Sequence, residues 1–261
     1  MPAERKESSL KQTEVKKKSK WKGFWIYFGL ILISLASLYP VVYNTAVATT
    51  TEGLEGYKPW QIAGLSLLQP LTIITGALLI GHFNAEKVRL RSVIYEQSSL
   101  HIRSILSTVL IGGAVVGLVT GGFDIVFRPW LPEAFQGALM VPGWEQILSS
   151  ILYGGITQEI LLRFGLMTII VYVFSLGGQK LNRYVYLFSI LFSAIIFTVG
   201  NISVFEMSTI LWLRLFVMNG LGSIIFGWIY YKHHLEAAIL AHMFSQIVFL
   251  LMRLCLILIG L

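Results

Sequence analysis

Three groups of polar side chains interrupt the most apolar parts of this 261-residue chain, and their types are those of acid, base and oxyanion chemistry. Gln158, Glu159 and Arg163 stand in GGITQEILLRFG, Asn201 follows FSAIIFTVG, and His242, Ser245 and Gln246 lie in ILAHMFSQIVF. A carboxylate or imidazole within hydrogen-bond reach of a water can take its proton. Amide or imidazole N–H groups can hold the oxyanion formed when that water attacks a carbonyl. In hydrocarbon an ionisable side chain costs roughly 2.5 to 3.5 kcal/mol on insertion scales, so one found there needs a partner or a function.

Each group also has a purely structural reading. Glu159 precedes Arg163 by four residues, the favourable order for an ion pair on one helical face, and such a pair fixes a helix as readily as it does chemistry. Gln158, about 100° around a regular helix from Glu159, can hydrogen-bond a neighbouring helix. His242 with Ser245 and Gln246 forms a polar stripe that serves interhelical bonding or a site equally well. Asn201 by itself reads as a helix end or cap. Asp124 and Arg128 read as an interfacial pair, and Arg214 and Arg253 as side chains that snorkel.

These residues must be held by membrane helices. A hydrophobic share of 56% with 13% charged residues and a mean hydropathy of +0.74 exclude an ordinary soluble domain. The net charge of +7 is concentrated in the segment 1–22, where Arg5, Lys6, Lys11, Lys16, Lys17, Lys18, Lys20 and Lys22 face Glu4, Glu7 and Glu14. Ending KKKSKWK before an apolar run, that tail is a topology signal at a lipid surface rather than a nucleic-acid arm. The following run is longer than a signal-peptide core. The single Cys255 excludes an intrachain disulfide.

About 20 mostly apolar residues are needed to span a bilayer, and seven runs qualify: Trp21 to Tyr43, Trp60 to Phe83, Ser104 to Phe127, Glu145 to Leu176, Tyr184 to Asn201, Thr209 to Tyr231 and Leu235 to Leu261. The fold class is therefore all-α, a polytopic transmembrane helical bundle. Lys87, Arg89, Arg91, Arg103, Lys180, Arg183 and Lys232 fall on one side, with Glu52, Glu55, Glu133 and Glu206 on the other. The positive-inside rule then puts the N-terminus in the cytoplasm, with Trp21, Trp60, Trp130 and Trp144 in interfacial belts. Pro40 and Pro70 are expected to kink their spans. The fourth run is too long for a perpendicular crossing and is expected to tilt, to begin at the interface, or to break near Gly154 and Gly155. Three units follow: a basic cytoplasmic tail (1–22), three N-terminal spans with loops (23–142), and a helical unit carrying the polar groups (143–261).

Taken in order, Gln158-Glu159-x-x-x-Arg163, Phe197-x-x-x-Asn201 and His242-x-x-x-Gln246 resemble the three motifs of the CPBP family of intramembrane proteins: E-E-x-x-x-R, F-x-x-x-H and H-x-x-x-N/D. That family includes type II CAAX prenyl endopeptidases and Abi-like bacteriocin-processing or self-immunity proteins. The resemblance covers roughly Gly143 to Met252 and includes LLRFGLMT and GLGSIIFGWIYYKHHLEAAILAH. It implies that the first acid and the second-motif His activate a water, that the third-motif pair holds the oxyanion, and that the second acid and the Arg hold the helix. Here Gln158, Asn201 and Gln246 occupy three of the catalytic positions, leaving Glu159, Arg163 and His242 in place.

Two functions follow from the resemblance. One is an intramembrane endopeptidase acting slowly on prenylated or other membrane-borne peptides; the other is a non-catalytic relative whose cavity binds a peptide, a lipid or a membrane protein. Gln158 and Asn201 orient water but cannot take its proton, while Gln246 keeps an amide donor and His242 is the remaining candidate base. Glu159 and His242 fall short of the three ligands of a catalytic zinc, so neither metal nor other cofactor is expected. The partners are membrane lipid and a lipid-modified or membrane-borne peptide, with no nucleic acid. A transporter would be supported by an inverted repeat, and none is visible. The expected location is an integral multi-pass one, in the plasma membrane if the source is a prokaryote.

Overall fold

The computed structural model describes the backbone of residues 2–48, 56–97, 102–131, 142–178, 181–201 and 208–258. The described residues are helical, with no strand among them, and seven helices are long and apolar enough to cross a membrane. In chain order they are α1 (Pro2–Ala48), α2 (Pro59–Asn84), the short α3 (Val93–Glu96), α4 (Ile102–Phe127), α5 (Trp144–Leu176), α6 (Arg183–Gly200), α7 (Thr209–Lys232) and α8 (Leu235–Leu258). Every element except α3 carries a span, which in α1 is Lys20–Ala48. Helices close their backbone hydrogen bonds internally, which hydrocarbon requires. Their polar ends are capped: Asn182 accepts from the amides of Tyr184 and Val185 at the start of α6, and Ser208 accepts from Leu211 at the start of α7.

One of the two prolines interrupts its helix. Pro70 cannot donate to the carbonyl of Ser66, so the first regular stretch of α2 ends there and a new one begins at Leu68, with Pro70 in its first turn. Pro40 is carried inside α1.

The long fourth span does not break. At about 1.5 Å per residue its 33 residues would extend roughly 50 Å, but two stretches, Ser150–Thr157 and Ile160–Met167, are wound with i→i+5 bonds. The amide of Gln158, for example, reaches the carbonyl of Tyr153. This wider winding shortens the helix and is a form that recurs at functional sites. Gly154 and Gly155 mark a close approach instead of a break. A side chain on Gly155 would overlap Met243 of α8, and one on Gly154 would stand 3.9 Å from His242 Nε2.

Small residues bring the other helices equally close. Gly113, Gly117 and Gly121 form a small-xxx-small row on α4, against α8. A Cβ on Gly113 would lie 2.6 Å from the carbonyl oxygen of Ala241, and one on Gly117 would lie 2.7 Å from that of Ser245. Such rows drive helix association in lipid, where the hydrophobic effect between helices is missing. Gly165 meets the backbone of Ala77 in the same way, joining α5 to α2. The result places α5 at the centre: half of its apolar window is buried, more than in any other span. Leu32, Ile33, Ile73, Ile111, Leu191 and Ile195 point outward as a lipid-facing surface.

Gly117→Leu is expected to lower the thermal midpoint of the purified protein sharply, because the new side chain meets backbone. Gly122 has open space around its Cβ position, so Gly122→Ala is expected to stabilise by about 0.5 to 1 kcal/mol through helix propensity. Thermal unfolding of both variants in detergent checks the contrast.

Candidate functional site

Glu159 and Arg163 meet on one face of α5 and are sealed from solvent, each with 0% exposure. Arg163 Nε donates to Glu159 Oε2 at 3.1 Å, and its two terminal nitrogens donate to Ser193 Oγ of α6 (3.2 Å) and Ser223 Oγ of α7 (2.9 Å). The other carboxylate oxygen, Oε1, lies 2.9 Å from His242 Nδ1 on α8. A carboxylate paired with a guanidinium accepts, so Nδ1 carries the proton and Nε2 carries the lone pair. Gln246 Nε2 stands 3.3 Å from that nitrogen and donates to it. Phe226 of α7 stacks on the imidazole with ring centres 4.5 Å apart. One acid therefore joins an Arg and a His, and through them four helices.

Above this network lies a cavity of about 260 Å³ whose polar walls include Gln158, Asn219 and Gln246, with Phe197 and Met218 among its apolar ones. Gln158 and Glu159 both line it, although they stand far apart around a regular helix. Uncharged amides from α5, α7 and α8 face a floor whose opposite charges are already paired.

The structure brings together Gln158, Glu159, Arg163, His242 and Gln246, and leaves Asn201 out. Asn201 caps the C-terminus of α6, is exposed, and donates from Nδ2 to the carbonyl of Phe197 at 2.7 Å. Of that motif, Phe197 is what reaches the cavity. Ser245 lies on the wall, but its hydroxyl is used on the carbonyl of His242 at 2.7 Å.

Two further pairings differ from expectation. Asp124 does not pair with Arg128. α4 stops at Phe127, and Arg128 lies exposed in a single 3-10 turn with Pro129. Asp124, 1% exposed, is instead held by both the Nε and a terminal nitrogen of Arg214, at 2.7 and 2.9 Å. Arg214 thus closes a bond between α4 and α7 rather than snorkelling, and Arg253 lies over the ring of Phe249.

Sequence reasoning missed Asn219, Ser193 and Ser223. A signal existed for the first two: Asn219 is an amide in the middle of a span, and Ser193 precedes Phe197 by one turn. Ser223 looks like an ordinary small packing residue.

A catalytic zinc takes three protein ligands. No group of three His, Cys, Asp or Glu side chains lies together among the described residues, and the two on the cavity point at each other. These side chains do not make a ligand set.

A comparison with protein families matches residues 140–248 to the family described as Type II CAAX prenyl endopeptidase Rce1-like. The resemblance carried by the three motifs is borne out over that segment. Neither the curated proteins nor the solved structures yield a match to the chain.

Removing one member of a buried ion pair strands the other charge at a cost of about 3 to 5 kcal/mol, whereas replacing both with apolar residues of similar volume is often neutral. Arg163→Met alone is therefore expected to abolish folded yield. The double variant Glu159→Leu with Arg163→Met should recover much of it, as read by size-exclusion profile and thermal midpoint.

Proposed function

With residues 140–248 matching the Rce1-like type II CAAX prenyl endopeptidases, we propose that this chain keeps that family's intramembrane cavity as a binding site for a membrane-borne or lipid-modified peptide and has lost most of the hydrolytic chemistry. The observation that carries this reading is the state of Glu159. One of its oxygens is bound to Arg163, the other to His242, and no part of it is exposed. It cannot turn to a water without leaving a buried guanidinium unpaired. The neighbouring wall position is Gln158, whose amide orients a water without taking its proton. General-base assistance is commonly worth about 10² to 10⁴-fold, and its loss leaves a binder.

What the cavity retains suits a peptide. Gln158, Asn219 and Gln246 offer N–H donors and carbonyl acceptors from three helices, the groups that complement an extended backbone. By the positive-inside rule the basic N-terminal segment lies in the cytoplasm, and the chain sits in the membrane as a multi-pass protein.

One feature favours slow hydrolysis as a second reading. The carboxylate of Glu159 on Nδ1 fixes His242 in the tautomer whose Nε2 lone pair is turned toward Gln246 at the cavity wall. A carboxylate that orients an imidazole in this way is half of a familiar catalytic arrangement. Gln246 would have to release that nitrogen before it could accept a proton from water.

The full chain in nanodiscs, offered a farnesylated peptide, is expected to bind it saturably and release no product. Gln158→Glu places an acid on the cavity wall and is expected to bring the first measurable turnover. Asn201→His is expected to add nothing, because position 201 lies outside the cavity. Turnover by the wild-type chain that disappears in a folded His242→Ala variant would replace the binding reading with the second one, and absence of any binding would refute the peptide assignment.

A further inference from the structure

A second pocket, of about 370 Å³ and with Phe164 in its wall, lies between the start of the first span, the end of α2 and the segment running into α3. Its level is set by the span limits. The first span begins at Lys20 and the second ends at Asn84, so the pocket sits where hydrocarbon gives way to headgroups. Its floor is apolar: Gly81 has no side chain, and the ring of Phe164 fills the space a Cβ there would occupy. Trp21, part exposed, packs against His82 beside the pocket with ring centres 4.6 Å apart.

The rim is cationic on balance. Lys20 is 3.2 Å from Glu86, and Arg91 holds Glu96 through two bonds of 2.9 Å. Arg89 makes no ion pair with any described acid and is exposed on the pocket wall. Among the described residues that line it, three cations stand against two carboxylates, an excess of one positive charge. The backbone of Arg89 is left-handed, with φ 58°, a conformation that favours glycine or asparagine. The chain therefore presents a guanidinium where its backbone would be better served by a smaller residue, a pattern that recurs at ligand clamps.

We propose that this pocket binds the headgroup of an anionic phospholipid. Its phosphodiester would take Arg89 with help from Lys20, and an acyl chain would lie on the apolar floor and along Trp21. A single phosphodiester charge matches the single excess cation. Basic pockets between membrane helices are suited to such headgroups, and a planar guanidinium grips phosphate oxygens in pairs. The proposal is independent of the polar cavity and of any activity there.

Native mass spectrometry of the full chain, with phosphatidylglycerol and phosphatidylcholine as probes, tests it. Phosphatidylglycerol is expected to bind about five-fold more tightly, as one added charge contact implies, and the preference is expected to shrink in high salt. Arg89→Gly relieves the left-handed backbone while removing the charge. It is expected to keep or raise the thermal midpoint in neutral detergent and to erase the preference. Equal affinities in the wild-type chain, or a preference that survives in Arg89→Gly, would overturn the proposal. Equal thermal protection by glycerol 1-phosphate alone would overturn the lipid assignment in favour of a soluble phosphate ester.

Discussion

The ion pair of Glu159 and Arg163 is the constraint on which the surrounding structure depends. Two charges held away from water cost several kcal/mol each unless their remaining hydrogen-bonding capacity is met. That requirement dictates neighbours: a hydroxyl from α6, a hydroxyl from α7 and an imidazole from α8 must arrive at α5 in set positions. Four helices are thereby registered against one another by a handful of directed bonds. Apolar packing between lipid-like side chains could not specify this, because it is tolerant of sliding and rotation.

The same pair explains how the helices around the cavity are held. The frame is made from Glu159, Arg163 and His242. Gln158 stands beside that frame and lines the cavity as an uncharged amide. Stretches of i→i+5 winding flank Gln158 and Glu159, two adjacent residues that both line the cavity.

Close approach is the second device. Glycines on α4 and α5 let backbones approach where a methyl group would collide, and the imidazole of α8 lies 2.9 Å from the acid. Away from this centre the interface regions carry a different logic, with the cations of Lys20, Arg89 and Arg91 gathered at the level where the spans end. Glu236 anchors that end of the molecule, accepting from Tyr27, Ser92 and the amides of Val93 and Ile94, and so ties α1, α3 and α8 together.

Much of this was legible without coordinates. Seven apolar runs of spanning length fix seven helices, since the bilayer leaves an isolated chain no other way to satisfy its backbone. The spacing of Glu159 and Arg163 determines their pairing, because residues four apart share a helical face. The rotation of each helix about its own axis and its depth against its neighbours were not legible, as periodicity describes one helix at a time. Only the tertiary structure decided that Asn201 caps a helix while Asn219 reaches the cavity, and that Asp124 takes Arg214 from another helix. It likewise decided that Gly154 and Gly155 admit α8 rather than break α5. Those outcomes depend on where separate helices meet, and that is determined by directed bonds and backbone clearance between residues distant along the chain.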